Sequence, residues 1–357
     1  MKVIVACGGT GGHSFPGIAV AEELVRRGHE VIVWSSGRDI ESSVMRRWKG
    51  PIFATGAKQL KVCNVLAILQ SIRRCRKAMR REQPDALIAM GSYSSLPPVL
   101  AARFCGVKVY LHEANTVPGK AVEFLARFAD VVATSFKITE QFLPDTKTVL
   151  TGLPVREDIA SGTRFPFIPA DSFVVFVTGG SQGAHAVNML MKEALAMFKK
   201  DLDARFADGR KIRPLYVIHQ TGANDEGPVM ATYAHSRIPS RVHAFEREMA
   251  NAFASADVVI ARAGASTCFE LAICGKPALL IPLPTAMRDH QHFNAEAFAE
   301  IGAADEGNQG QLSPRQLCRY LLNLYDHPEK LVEMAEKMRS LAVPDAAAKV
   351  ADLIQVR

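Results

Sequence analysis

Two stretches place small, polar and titratable side chains where an apolar run gives way to a helical one: CGGTGGHSF at 7–15 and TGGSQGAHAV at 178–187. Glycine at such a junction lets a ligand approach the backbone, and the helix start offers N–H groups and a positive dipole end. That combination suits a phosphate or a sugar. Thr10, Gly11 and Gly12 are expected to line a crevice with N–H groups, while Ser181 and Gln182 are placed to donate to a diphosphate. His13 stands where the first turn becomes a helix, a position that disfavours imidazolium and keeps a ring able to accept a proton. Glu113, in HEAN, is the rival base, because a carboxylate closing a strand lies at the crevice; a hydrogen bond to its own loop is the alternative. RAGASTCFE at 262–270 makes a third turn at a helix start, with Ala265, Ser266 and Thr267 facing phosphate or sugar oxygens. Glu270 behind them is suited to a pair of ribose hydroxyls.

Several chemistries fail on spacing. A dinucleotide fingerprint read from Gly9 breaks at Ser14, and VIVWSS ends in Ser35 and Ser36 where a ribose-binding acid is expected. No G-x-x-x-x-G-K-[ST] occurs. Asp201 and Asp203 form the one D-x-D, read as solvated surface after a helix, and Asp289, His290 and His292 lack a metal-ligand spacing. No metal or other cofactor is therefore expected. Seven cysteines without a C-x-x-C argue against a disulfide framework and for a reducing compartment.

The elements that must position these residues alternate. VIVAC, EVIVWSS, PDALIAMGS, KVYLHEAN, DVVATS and KTVLTG are short apolar runs ending in small or polar residues, as buried parallel strands do. PGIAVAEELVRRG and DIESSVMRRWKG between them have helical spacing. SFVVFVTGG restarts the pattern, followed by PLYVIHQTG, RVHAFE and DVVIARAG. Two nucleotide-binding α/β halves in tandem, each a doubly wound parallel sheet, are the simplest account. With 357 residues, two domains are the default; SGTRFPFIPADS at 161–172 is read as the linker. The expected domains are 1–160, 161–340, and a tail at 341–357 that returns to the first.

Charge is uneven. Residues 1–156 carry 22 Lys+Arg against 12 Asp+Glu, and the remainder 21 against 24. The segment 56–81 holds eight basic residues and no acid, beside Val62, Val65, Leu66, Ile68, Leu69 and Ile72. A solvated basic helix and a nucleic-acid surface are alternatives, but an amphipathic basic element suits an anionic membrane best, and nucleic acid is not expected. The opening reads as no signal peptide, and no apolar run is long enough to span a bilayer.

GGTGGHSFPGIAVAEEL, GSYSSLPPVLAA, HEANTVPGK, TGLPVR, GGSQGAHAVN, ARAGASTCFELAICGKPALLIPLP and DHQHFNA follow one another from residue 8 to about 295. In order and spacing they resemble the MurG family of peptidoglycan N-acetylglucosamine transferases. The resemblance implies two Rossmann-like domains facing across a cleft (GT-B). It implies inverting transfer of GlcNAc from UDP-GlcNAc to the C4 hydroxyl of the muramoyl sugar of lipid I, giving lipid II. It implies a peripheral enzyme on the cytoplasmic face of the bacterial inner membrane, with cell-wall synthesis proteins as further partners and anionic lipids met by 56–81. By family match Asn115 and Gln291 contact GlcNAc, and the backbone at Phe245 and Glu246 reads uracil; Asn188 matches a family position or packs in the core. Arg156 supplies a positive charge near the domain junction, and Tyr93 and Ser94 lie on the acceptor side. Ser92, Ala114, Leu153 and Glu246 depart from the family's usual glycine, glutamine, asparagine and aliphatic residue. A UDP-GlcNAc 2-epimerase-like isomerase and a non-catalytic nucleotide-sugar binding subunit are the competing functions.

Overall fold

The computed structural model describes residues 1–9, 11–37, 45, 48–58 and 64–354. Thr10, most of DIESSVMRRWKG and residues 59–63 of the basic segment, Val62 among them, lie outside the described residues. The chain divides into two compact units, Met1–Arg156 with Val343–Arg357, and Glu157–Ala342.

In the first unit β1 (Lys2–Ala6), β2 (Glu30–Ser35), β3 (Ile52–Ala54), β4 (Ala86–Ala89), β5 (Lys108–Glu113), β6 (Val131–Thr134) and β7 (Thr148–Leu150) form one parallel sheet. Their order is β3-β2-β1-β4-β5-β6-β7. The crossovers carry α1 (Gly11–Arg26), α2 (Val65–Glu82), α3 (Leu96–Phe104) and α4 (Lys120–Ala126). Ile18, Val20 and Leu24 of α1 pack on Val3, Val5, Val31 and Val33. Cys75 and Met79 of α2 and Val99 of α3 cover Ile4, Ile32, Trp34 and Leu87 on the opposite face. With both faces covered, β4 and β6 are buried throughout and β1, β2 and β5 in all but their first residue, which is why these strands read as apolar runs.

The second unit repeats the plan. β8 (Phe173–Thr178), β9 (Leu215–Gln220), β10 (Ser240–His243), β11 (Val258–Ala261), β12 (Ala278–Leu280) and β13 (Ala304–Glu306) pair in parallel in the order β10-β9-β8-β11-β12-β13. Its helices are α5 (His185–Ala207), α6 (Glu226–His235), α7 (Met249–Ser255), α8 (Ala265–Cys274), α9 (His290–Ala299), α10 (Pro314–Asp326) and α11 (Pro328–Ser340). Residues 161–172 pack within this unit: Phe165 and Ile168 are buried, and the Phe165 N–H donates to Ser255 Oγ. The segment Val343–Arg357 belongs to the first unit, where α12 (Ala346–Asp352) lies on α1. Val350, Ala351 and Ile354 join its core, and Arg27 donates to Asp352 Oδ1 at 2.6 Å and to the Ala348 carbonyl at 3.1 Å.

Each sheet reverses its strand order once, between β1 and β4 and between β8 and β11. Loops leaving the carboxyl ends of those four strands diverge and open a crevice. The glycine turns after β1 and β8 stand there, with GSYSS after β4 and RAGAST after β11.

Two histidines are buried inside strands. His112 of β5 donates from Nε2 to the Gly152 carbonyl at 3.2 Å, and His219 of β9 donates from Nε2 to Asn188 Oδ1 at 3.0 Å. Burial pushes His112 down to about 4 and His219 to about 3. An unfolded histidine takes up its proton near pH ~6.5, so between that pH and the folded values the unfolded chain binds more protons. Stability present above about pH 6.5 is then lost as the pH falls, at up to about 1.4 kcal/mol per pH unit for each ring. Thermal unfolding followed by circular dichroism should show Tm declining steadily from about pH 7 to about pH 4.5; a flat Tm over that window contradicts the neutral assignment.

Candidate active site

His13 is the third residue of α1, because the helix starts at Gly11, five residues before the PGIAV stretch expected to begin it. Its Nδ1 lies 2.9 Å from the Met90 carbonyl, just beyond β4. A carbonyl only accepts, so Nδ1 carries the proton and the neutral ring keeps its lone pair on Nε2. The ring thus crosses from one side of the switch point to the other. Gly91 makes room for it: a Cβ there would stand 3.0 Å from the His112 carbonyl oxygen and 3.7 Å from His13 Cε1, on a backbone at φ +80°. Gly11 and Gly12 open the same helix, whose first N–H groups have no partner within it.

Around the ring, several predicted residues take fixed places. Ser94 is buried and its hydroxyl donates to the Gly8 carbonyl at 2.7 Å, tying the β4 loop to the glycine turn. That bond gives Ser94 a turn-holding place. Tyr93 beside it is half-buried. The Arg156 guanidinium lies 4.8 Å over the Phe15 ring, two residues from His13. Ser92 sits at φ 68°, ψ 165°, a region that favours glycine and costs other residues about 1–3 kcal/mol. Leu153 and Ala114 are buried, so neither can offer the polar contact usual at its position.

Glu113 closes β5 with both oxygens occupied. Oε1 accepts from the Asn115 N–H at 2.9 Å and from Asn115 Nδ2 at 3.0 Å, and Oε2 accepts from the Gly119 N–H at 3.0 Å. Burial pushes its carboxyl up, against the pull of these bonds. The carboxylate folds residues 114–119 around itself, the alternative weighed for it in the sequence. Asn115 is drawn into the same knot and faces its own loop.

In the second unit Ser181 and Gln182 are exposed on a turn closed by the Gly183 N–H to the Gly180 carbonyl at 3.0 Å, ahead of α5. A Cβ on Gly183 would stand 2.1 Å from the Thr221 carbonyl oxygen, so the turn presses on the loop after β9. Ala265, Ser266 and Thr267 form the first turn of α8, and Glu270 is buried one turn further on. Gln291 accepts through Oε1 from the Leu283 N–H at 2.9 Å. Asn294, unremarked in the sequence although it lies in DHQHFNA, donates to the Ala263 carbonyl at 3.1 Å. Glu246 turns inward: its carboxylate takes two bonds from Arg241, at 2.8 and 3.0 Å, and its N–H donates to Gln220 Oε1. Burial works to raise this carboxyl, and the Arg241 guanidinium more than offsets it. Arg241 thus explains how an acid stands where an aliphatic residue is usual.

Sequence reasoning also missed a buried polar chain below the turn. Tyr233 donates to His219 Nδ1 at 2.8 Å, His219 donates to Asn188 Oδ1, and Asn188 Nδ2 donates to the Thr221 carbonyl and to Asp225 Oδ2, both at 2.7 Å. His185, first in α5, meets Asp225 Oδ1 at 2.8 Å. Asn188 therefore packs as a core polar residue, one of the two readings its position allowed.

Asp201 and Asp203 lie within α5 and not after it, paired with Arg205 and Lys199 at i+4 and i−4. His290 bonds the Met287 carbonyl and His292 pairs with Glu306 at 2.6 Å, so the two rings do not converge. Among the described residues no group of three or more His, Cys, Asp or Glu could hold a metal ion. A cavity of about 640 Å³ lies elsewhere, along β13, α10 and α11, and includes none of the predicted donor residues.

Comparison with known proteins gives these features a context. Residues 3–134 match the glycosyltransferase family 28 N-terminal domain and residues 174–352 the C-terminal domain. A Myxococcus xanthus protein is 36% identical over 99% of this chain and 92% of its own length; it is named UDP-N-acetylglucosamine–N-acetylmuramyl-(pentapeptide) pyrophosphoryl-undecaprenol N-acetylglucosamine transferase. The crystal structure of Acinetobacter baumannii MurG superposes with a TM-score of 0.77 at 32% identity, covering 99% of this chain and 98% of that one. The Neisseria meningitidis UDP-GlcNAc 2-epimerase covers 99% of both chains with a TM-score of 0.69, but at 13% identity, a likeness of fold alone. Matched in both halves, and by full-length relatives at this identity, the chain belongs to glycosyltransferase family 28 and within it to the MurG family.

Proposed function

We propose that this chain transfers N-acetylglucosamine from UDP-GlcNAc to the C4 hydroxyl of the N-acetylmuramoyl sugar of an undecaprenyl-diphosphate acceptor, lipid I, forming lipid II with inversion. The relatives' names supply the donor and acceptor. The observation that carries the mechanism is the His13–Met90 hydrogen bond. It holds the basic Nε2 of a neutral imidazole at the switch point of the first unit. In the transfer, the C4 hydroxyl gives its proton to Nε2 as its oxygen attacks C1 of GlcNAc from the face opposite UDP. The bond from C1 to the diphosphate oxygen breaks, and its electron pair leaves on UDP. General base catalysis of this kind contributes about 100-fold or more.

The departing diphosphate is held by the turn at 180–183 and the positive end of α5, with Ser181 and Gln182 as donors. The first turn of α8 and Glu270 take the remaining phosphate and ribose oxygens, and Gln291 the sugar hydroxyls. Glu113 acts by positioning, its two oxygens holding the 114–119 loop. Gly11, Gly12 and Arg156 line the donor's sugar beside His13, and Tyr93 faces the acceptor.

The same unit offers the membrane contact. Val65, Leu66 and Leu69 are exposed at the start of α2, and Arg73, Arg74, Arg76, Lys77, Arg80 and Arg81 are exposed along the rest of it. Exposed Phe104 of α3 lies 5.8 Å from the Arg76 guanidinium. No helix among the described residues is long and apolar enough to cross a membrane. Apolar side chains entering the headgroup region beside cations that each gain about 1 kcal/mol at an anionic surface make a peripheral anchor on the cytoplasmic leaflet.

Radiolabelled UDP-GlcNAc should yield labelled lipid only when a short-chain lipid I analogue is present. Acceptor-independent release of N-acetylmannosamine would assign an isomerase instead. His13→Ala should lower kcat by about 100-fold or more, whereas Glu113→Gln should act mainly on KM; a near-wild-type kcat for His13→Ala would hand the base role elsewhere. In vesicle flotation the protein should bind anionic vesicles over neutral ones, and replacing Arg73, Arg74, Arg76 and Lys77 by Glu should abolish the preference. Equal binding to both vesicle types would sink the anchor.

A further inference from the structure

Gln220 closes β9 and is 1% exposed. Its single amide joins two loops. Nε2 donates to the Gly180 carbonyl at 2.7 Å and to Thr178 Oγ1 at 3.3 Å, and Oε1 accepts from the Glu246 N–H at 3.0 Å. A carbonyl cannot donate and a backbone N–H cannot accept, so these partners fix which end of the amide faces which loop. Gly180 belongs to the exposed turn before α5. Glu246 belongs to the stretch after β10.

Each loop is itself stiff. The turn is closed by its own 180–183 bond and pressed against Thr221 and Gly222. The other stretch is braced by the bidentate Arg241–Glu246 pair, by Arg241 Nη2 to Glu248 at 2.9 Å, and by the Glu248 N–H to Glu246 Oε1 at 2.9 Å. Arg241 in turn lies 4.7 Å over the Phe165 ring. Between two stiff pieces, one buried amide sets the spacing. Without it, the Glu246 N–H is left unmatched in a buried place, and the half-buried Gly180 carbonyl loses the bond that fixes its position.

We propose that Gln220 is a positioning residue that sets the distance between the diphosphate turn and the base-reading stretch, so that the uridine and the diphosphate of the donor are recognised as one rigid unit. This rests on UDP-GlcNAc being the donor. Neither loop need touch Gln220's ligand-facing side for the effect; the residue acts through Gly180 and Glu246.

Calorimetric binding of UDP and uridine to the full chain tests it, with donor kinetics alongside. In the wild type the diphosphate should tighten binding by some factor. In Gln220→Met that factor should fall about tenfold, with KM for UDP-GlcNAc rising about tenfold and kcat changing by less than about threefold. A residue that only supported the fold would lower Tm and leave both the factor and KM unchanged. Gln220→Glu keeps the length and an acceptor for the Glu246 N–H, and burial raises its carboxyl. Protonated, it can also donate to Gly180, so its KM relative to wild type should recover as the pH is lowered from about 8 to about 6. A folded Gln220→Met with wild-type factor and KM overturns the proposal. If that variant does not fold, a pH-independent KM ratio for Gln220→Glu does so. A wild-type chain that binds no UDP removes the donor assignment itself, a result separate from either.

Discussion

The ligand-facing edge of each sheet depends on side chains that hydrogen-bond the backbone of a neighbouring loop. A parallel sheet satisfies its own N–H and C=O groups along the ladder, but the ladder stops where the loops begin. Beyond that line His13 takes the Met90 carbonyl, Ser94 the Gly8 carbonyl, Glu113 the N–H groups of Asn115 and Gly119, and Asn294 the Ala263 carbonyl. Gln291 takes the Leu283 N–H and Gln220 bridges Gly180 to Glu246. Forming one such bond gains about 1 kcal/mol, whereas leaving its buried partner unmatched costs about 1–3 kcal/mol. The asymmetry makes the loops' conformations specific rather than merely stable.

The two units use one solution for different chemistry. In each, the strand order reverses beside a glycine-rich turn where an added Cβ would meet a neighbouring loop: on Gly9 it would stand 2.8 Å from Ser92 Oγ, and on Gly183 2.1 Å from the Thr221 carbonyl oxygen. The first unit fills its crevice with a ring whose basic nitrogen is fixed by a carbonyl. The second leaves small donors exposed and spends its buried polar groups below them, from Tyr233 through His219 and Asn188 to Asp225.

Much of this was legible in the sequence. Alternating apolar runs announced the strands because both faces of each sheet are covered, and the expected β1, β2 and β4–β11 all form. The three-residue β3 and β13 were not foreseen: each lies beside a single neighbour, and IFA and ADE carry too little apolar sequence to stand out. The glycine turns fixed where ligand-facing loops would be, and His13, Glu113, Glu270 and the start of α8 stand at such places. What each side chain does was less legible. Glu113 reads as a candidate base in a one-letter code and Asn115 as a sugar contact, and only the 2.9–3.0 Å bonds reveal that both help to hold their own loop. Gln220 carried no signal of its own, since a buried amide is recognised by partners 26–40 residues away.

The first unit is discontinuous in sequence, for α12 returns to lie on α1 and its Val350, Ala351 and Ile354 are part of that core. During synthesis, residues 1–156 leave the ribosome nearly two hundred residues before their own missing wall. Domains fold as they emerge, amino-terminal first. Here the order is inverted: the second unit, contiguous from Glu157 to Ala342, has everything it needs before the first does. Until α12 arrives, the part of α1 that Val350, Ala351 and Ile354 cover stands open to solvent, so the unit that is synthesised first is the last to close its core.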